Sequence, residues 1–389
     1  MPDHPNRQWA CTPVTHHRDL PRSSWCEIHQ SRISRNLELA CDLLPNRSRF
    51  CAVLKADAYG HGIKQVVPLV MGQGITSIGI TSNAEARAVR DAGFSGDIIR
   101  LRAATPAEME GAAADRVQEQ IGSLDAAHQY RSLLNKGRSL AKVHLALDAA
   151  GMSRDGLDLT SVSGRAACQD IIDLIRGHIT GICTHFSSNE PAHLCQSSDL
   201  FQQQVDWVLR HCGLRRSDLT VHAGSSLTLV SGASIETDMY RCGAIIYGIL
   251  KSELGFCPTM ELKAHVVGLG AYPKGAAVGY DRANQLDRDS KLACISIGYA
   301  NGFCRKAHNR SAVAIGGHVV PVMGKMSMNT IVADVTDIGE VQVGDIVTVF
   351  GGNGATGISK ERVEAQFGTI MADLYSDWGL RNHRVYRSD

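Results

Sequence analysis

Short apolar runs rich in β-branched residues alternate with longer segments of helical periodicity over the first two-thirds of the chain. The runs are FCAVLKA from Phe50, SIGITS from Ser77, DIIRLRA from Asp97, VQEQIGS from Val117, VHLALDA from Val143, ITGICTHF from Ile179, TVHAGSS from Thr220 and AIIYGIL from Ala244. Between them, segments such as SNAEARAVRDAG and SSDLFQQQVDWVLRHCG open on small or acidic residues, carry apolar positions at helical spacing and stop at glycine. Strands alternating with helices imply a parallel sheet with helices outside, and eight is the number that closes a (β/α)8 barrel of the TIM type. An open doubly wound α/β sheet is the alternative.

After about residue 255 the pattern changes to short strands and turns: LKAHVVGLG, LACISIGYA, SAVAIGGHVVPVMG, TIVADVTD and DIVTVFGG. This predicts a mostly-β second domain over 256–389, following a barrel over 24–255. WCEIHQ, from Trp25, is expected to join the β domain as a strand, which associates part of residues 1–29 with it.

With 389 residues, two domains are the natural division. Lys plus Arg (40) nearly cancels Asp plus Glu (39), with the signs interspersed, so no long-range field would attract nucleic acid. No apolar run reaches the length of a membrane span. The first twenty residues hold prolines, charges and histidines where a secretory signal needs an apolar stretch, so a cytoplasmic location is expected, or a periplasmic one if a leader has been removed. The 12 cysteines show neither CxxC pairs nor zinc-finger spacing and read mostly as buried small hydrophobes; no metal is expected.

The sharpest local signal is AVLKADAYGHG, where a β-run ends in Lys55 and leads through Tyr59 into a glycine-flanked turn. In a barrel, strand-to-loop transitions at the C-terminal face line the active site. A lysine there can bond an aldehyde cofactor, and burial lowers its pKa towards that of a usable base. Alone, Lys55 could equally be a solvated lysine at a strand end, His185 a satisfied core histidine, Arg241 a surface ion-pair member and Ser226 a helix cap.

The Lys55 stretch resembles the cofactor-lysine motif of the alanine racemase family, the fold-type III pyridoxal-phosphate enzymes, and matches continue from about Trp25 to the C-terminus. The resemblance implies pyridoxal 5'-phosphate carried by Lys55. GMSRDG is similar to the segment whose arginine, here Arg154, faces the phenolic oxygen of the cofactor; it also places Arg154 near substrate. THF supplies His185 against the ring, and HAGSS supplies Ser226 to the phosphate. DMYRCGAIIYG supplies Arg241 to the ring nitrogen and the N–H groups of Gly243 and Ala244 to the phosphate; Tyr59 and Tyr375 complete that cradle. An arginine facing the ring nitrogen keeps it unprotonated, which favours proton exchange over transamination.

PKGAAVGYDRAN is similar to the segment bearing the catalytic tyrosine, here Tyr280. Inversion of a carbon requires a base on each face, so the resemblance makes Lys55 the D-side base and Tyr280 the L-side base. A free tyrosine has a pKa near 10, and the resemblance implies that His185 bonds Tyr280 and links it to Arg241. It implies too that the tyrosine comes from the partner subunit, which makes a homodimer a requirement. SIGYANGF makes Tyr299 a gate residue, and GKMSMNT points to Met328 and Asn329 for the substrate carboxylate.

Several departures from typical alanine racemases resemble the broad-specificity amino-acid racemase branch. Ala146 stands near the place of a lysine that is often carbamylated, one residue is added before Gly151, Asn329 replaces an aspartate, and MADLYSDWG is unusual. That branch accepts basic as well as small side chains. Cys242 for proline, Ser225 for asparagine and Asn284 for an aromatic residue depart from the branch itself. The expected activity is amino-acid racemisation of broad specificity. The alternatives are an alanine-specific racemase, a basic-amino-acid decarboxylase of the same fold type, or a cofactor carrier lacking a catalytic second domain.

Overall fold

The computed structural model describes residues 22–45, 48–149, 151–282, 284–352 and 354–388. The N-terminal stretch that bears on location lies outside them. Strand β1 (Ser24–His29) leads into a helix over Gln30–Asp42. There follow β2 (Arg49–Val53), β3 (Ser77–Ile80), β4 (Asp97–Arg100), β5 (Val117–Ile121), β6 (Val143–Ala146), β7 (Ile179–Cys183), β8 (Thr220–His222) and β9 (Met239–Cys242). These eight pair in parallel in the order β8-β7-β6-β5-β4-β3-β2-β9. A parallel bridge between Ser225 and Arg241 brings the two edges together, so the sheet is a TIM-type barrel and not an open one.

Local chemistry supports the alternation. Ser82 and Glu85 form a capping box at the start of the helix Asn83–Asp91, and Thr105 and Glu108 do so at Pro106–Gly111. One expected strand is displaced. The eighth lies at Met239–Cys242, and AIIYGIL is a run of turns in which Ile246 N–H donates to Gly243 O and Gly248 N–H to Ile245 O. Its apolar residues are buried, with Ile245, Ile246 and Tyr247 all 0% exposed, and this burial imitates a strand in the sequence.

The second domain comprises β10 (Met260–Tyr272), β11 (Ala277–Val278), β12 (Asn284–Gln285), β13 (Ser290–Ile295), β14 (Ala312–Ile315), β15 (His318–Met323), β16 (Ile331–Asp334), β17 (Ile346–Phe350) and β18 (His383–Arg387). Its main sheet runs β13-β16-β15-β14-β17-β10-β1-β18, with β13 also pairing β10. Thus β1 does join this domain, antiparallel to β10 and parallel to β18. Two helices, Lys360–Phe367 and Met371–Arg381, also belong to it. Among the described residues no helix is long and apolar enough to cross a membrane.

Strand alternation decides what the barrel encloses. Val53 faces the cavity at the strand ends, and Lys55, two residues on, shares its side; the same parity relates Cys183 to His185 and Arg241 to Gly243. The opposite face packs on the helices and holds a buried ion pair. Arg100, 0% exposed, donates to both carboxylate oxygens of Glu119 at 2.7 and 3.1 Å, to Thr81 O at 3.0 Å and to Asn83 Oδ1 at 2.6 Å. Removing one partner of such a pair strands a charge. Glu119→Leu is therefore expected to cost about 3–5 kcal/mol, read as a lowered urea midpoint, with much of the loss recovered in Glu119→Leu/Arg100→Met. A single variant as stable as the parent would show that the pair is not needed.

Candidate active site

A cavity of about 480 Å³ opens at the C-terminal ends of the barrel strands. Lys55, Arg154, His185 and Arg241 line it, as do Tyr59, Ser226, Gly243 and Ala244. Eight of the residues singled out in the sequence thus converge on one space. A larger depression of about 660 Å³ lies at the other end of the barrel, near Asp97 and Gln118, and has no comparable gathering of reactive groups.

Three cationic side chains, Lys55, Arg154 and Arg241, line the cavity together with Asp148 and Asp155. Surrounding protein lowers the pKa of Lys55 from the ordinary lysine value, and the Arg154 guanidinium lowers it further. His185 is held down to about 4, by burial first and then by Arg241, Arg154 and Lys55. Arg154 leans towards Asp155, Nε to Oδ1 3.6 Å, while Asp148 accepts from the N–H groups of Met152 and Ser153 at 3.0 and 3.1 Å and shapes the loop. Opposite lies a set of donors suited to an oxyanion. Gly243 N–H lies 3.0 Å from Ser226 Oγ, and a Cβ at position 243 would stand 2.6 Å from the Tyr59 hydroxyl oxygen, so only glycine leaves the space between them open.

Arg241 reaches the cavity from inside the barrel. Its Nη2 donates to Thr184 O at 2.6 Å and to Ala223 O at 3.2 Å, and its Nη1 meets His222 Nδ1 at 2.5 Å. Guanidinium has five N–H groups, so one Nη1 hydrogen and the Nε hydrogen are left for the cavity. The contacts continue downwards: His222 Nε2 to His144 Nδ1 is 3.0 Å, His144 Nε2 to Gln118 Oε1 is 2.7 Å, and Gln118 Nε2 donates to Asp97 Oδ1 at 2.9 Å. Because an arginine can only donate, His222 Nδ1 must accept; both imidazoles are then neutral Nε2–H tautomers and every donor points from Arg241 towards Asp97.

The second domain gathers another group of the expected residues. Gly279 (φ +76°) and Gly324 (φ +68°) cross so closely that a Cβ on either would lie 2.5 Å from Lys325 O or 2.3 Å from Val278 O. This crossing carries Tyr280, whose neighbour Asp281 accepts from Lys325 Nζ at 2.6 Å. Gly298 likewise abuts Met328 O, and Ala300 N–H donates to that oxygen at 2.9 Å, which fixes Tyr299 beside Met328 and Asn329. Tyr280 is 55% exposed and Met328 54%. Among the described residues, none of Tyr280, Tyr299, Met328 and Asn329 lines the barrel cavity of its own chain.

This succession of a barrel and a β domain has a counterpart in known proteins. The alanine racemase N-terminal domain matches residues 28–251 and the alanine racemase C-terminal domain matches residues 259–386. The chain belongs to the alanine racemase family. A broad specificity amino-acid racemase of Pseudomonas taetrolens is 39% identical over 367 residues, 94% of this chain and 90% of that protein. A lysine racemase of Proteus mirabilis is 36% identical over 366 residues, again 94% and 90%. An alanine racemase of Bartonella henselae, solved with covalently bound pyridoxal phosphate, has the same fold, with a TM-score of 0.81 at 24% identity over 94% of this chain and 100% of that one.

Two expectations for this alanine racemase family member need correction. Tyr375 does not reach the cavity: it is 1% exposed, its ring packs edge-on against His61 at 5.2 Å, and its backbone carbonyl abuts Gly60. It braces the Lys55 loop from behind, while Ala372, Asp373 and Ser376 of the same helix face Lys55 and Tyr59. The histidine bonded to Arg241 is His222, not His185. His222 and His144 were missed as site residues although both stand in quoted strands; the available signal was a polar ring on the inward parity of a barrel strand, next to Arg241.

Burial holds the pKa of His61 down to about 4, that of His144 to about 3 and that of His222 well below 6.5. Unfolded, these rings take up protons below about pH 6.5; folded, they refuse them. The unfolded state therefore binds more protons, and stability falls as pH drops from about 6.5 towards 4, by up to about 4 kcal/mol per pH unit for three groups. Urea midpoints measured at half-unit steps should decline through this window and level off above it. A flat profile there would mean that the rings titrate in the native protein.

Proposed function

We propose that the protein interconverts the L and D enantiomers of free amino acids with pyridoxal 5'-phosphate as cofactor, using Lys55 and the partner subunit's Tyr280 as opposed bases. The convergence of Lys55, Arg154, Arg241 and the Tyr59–Ser226–Gly243 donors on one barrel-mouth cavity carries this reading. The donor set suits the group: Lys55 for the aldehyde, Arg154 for the phenolic oxygen, the remaining Arg241 hydrogens for the ring nitrogen, and Tyr59, Ser226, Gly243 and Ala244 for the phosphate. When bound, the cofactor supplies the electron sink that acidifies the substrate's α-C–H bond.

The protein's own groups then divide the work. Lys55, its amine made less basic by its surroundings and by Arg154, moves the α-proton on one face. The other face needs a second acid–base group, and Tyr280 meets that need only from another copy, since in its own chain it stands exposed on the β domain. A homodimer with shared sites follows. Tyr299 then gates access, and Met328 with Asn329 receives the substrate carboxylate.

Broad specificity, with basic and small side chains among the substrates, is the finer part of the proposal. Ala146 lines the cavity where the family resemblance places a lysine, and leaves room beside Arg154 and Gln120. A methylene in an apolar pocket discriminates by only about 1–3 kcal/mol, so a roomy pocket accepts a series of side chains. A chiral-chromatography screen of the purified protein against the twenty L-amino acids, with and without pyridoxal phosphate, tests this directly; turnover of alanine alone would reject breadth, and no turnover at all would reject the activity.

Two substitutions separate the bases. Lys55→Ala should abolish the near-visible absorbance of the bound cofactor. Tyr280→Phe should keep that colour yet lose α-proton exchange into deuterated water from L-substrates by roughly 10²–10⁴-fold, and far less from D-substrates. Equal loss from both enantiomers would defeat the assignment of faces.

A further inference from the structure

The backbone after Lys55 is unusual for its run of left-handed residues. Ala56, Asp57, Ala58 and Tyr59 have φ of 54°, 51°, 58° and 52° in succession, and Gly60 continues at 79°. Left-handed geometry crowds the Cβ of an L-residue, so side-chain-bearing residues enter it singly, not in fours. Such a segment persists only where its surroundings over-determine it. Internal bonds from Gly60 N–H to Ala56 O and from Gly62 N–H to Asp57 O, both 2.8 Å, close the turn but do not aim it.

Three outside elements hold it. From the barrel, Glu85 Oε1 accepts from Ala56 N–H at 2.7 Å. From the helix Met371–Arg381, Gly379 lies so close that a Cβ there would stand 2.0 Å from Gly60 O. From β18, Arg384 Nη1 donates to Asp57 Oδ2 at 2.5 Å and to Gly60 O at 3.4 Å, and the Tyr386 hydroxyl donates to His61 O at 3.0 Å. Asp57 spends its other oxygen inside the loop, accepting from Ile63 N–H at 2.8 Å. One carboxylate thus ties the end of the left-handed turn to the last strand of the other domain. Arg384 and Asp57 lie at the domain junction, and neither lines the barrel cavity.

We infer that Arg384 is a positioning residue for the Lys55 amine and the Tyr59 hydroxyl: by holding Asp57 it aims the left-handed turn, and with it both groups, into the barrel cavity. The effect on the cofactor rests on the proposed function; the effect on the turn does not.

The test uses the full chain carrying Arg384→Gln, Asp57→Asn, the double substitution, and Arg384→Lys. Amide hydrogen exchange in the cofactor-free protein should quicken in the peptide spanning residues 55–62 for both single variants. Pyridoxal-phosphate affinity, titrated by fluorescence, should weaken about tenfold for each, the scale of one charge-assisted bond. The double variant should be no worse than either single, because both remove the same contact, and Arg384→Lys should recover part of the loss. Exchange unchanged in the 55–62 peptide, strictly additive losses, or a lowered Tm with unaltered cofactor affinity would each overturn the inference. If Arg384→Gln does not fold, Asp57→Asn carries the test, since it keeps the volume and the acceptor for Ile63 N–H. A parent protein that fails to bind pyridoxal phosphate would refute the proposed function, while the exchange measurements would still decide whether the clamp holds the turn.

Discussion

A guanidinium enclosed within a β-barrel dictates the polarity of everything around it. Arg241 can neither accept a hydrogen bond nor give up its proton, so each neighbour must present a lone pair: His222 Nδ1 and the carbonyls of Thr184 and Ala223 do so. The demand passes from ring to ring until it ends on a carboxylate at the far rim, Asp97. The low pKa values of His144 and His222 belong to the same arrangement, since a second cation beside Arg241 would be uncompensated in a dry interior. On the proposed reading, the cofactor ring nitrogen meets only donors there, which suits brief proton exchange better than chemistry needing a fully protonated ring.

The rest of the site is organised by the C-terminal ends of the parallel strands and the turns that follow them. Lys55, His185 and Arg241 reach one mouth from three separated stretches of chain, and they were legible as a set in the sequence through the family resemblance, with their places at or near strand ends in support. The alternation of β-rich runs with helical segments, and its later change to short strands and turns, made the barrel and the β domain readable, and WCEIHQ read as a strand of the latter, where β1 pairs β10. What was not legible lay where burial and not periodicity ruled. AIIYGIL carries a strand's apolar content but folds as turns, because Gly243 and its successors bond locally and β9 has already closed the barrel. Tyr375 matched a functional position by residue type, yet the rotation of its helix puts the ring against His61 and presents Ala372 towards Lys55. His144 and His222 were hidden for the opposite reason: polar rings in apolar runs read as satisfied core residues until the distances join them to Arg241.

The β domain supplies rigidity of another kind. Tyr280 stands on a double glycine crossing, and Tyr299 beside a third close approach at Gly298, so both phenols are presented by backbone that tolerates no side chain at those points. On the proposed reading, preorganised presentation matters because a base displaced by an ångström loses much of its effect. On the same reading, an exposed phenol on so stiff a support serves the cavity of a second copy.

The contact between Gly60 and Gly379 has a bearing on how such proteins can be recombined. A Cβ on Gly379 would sit 2.0 Å from Gly60 O and one on Gly60 2.1 Å from Tyr375 O, so the loop bearing the lysine and the C-terminal helix behave as a key and its wards, cut to one another. A barrel grafted onto a relative's β domain at the apparent seam near residue 255 would inherit one half of that fit without the other, and the junction that looks freest along the chain is one where substitution must be made in pairs.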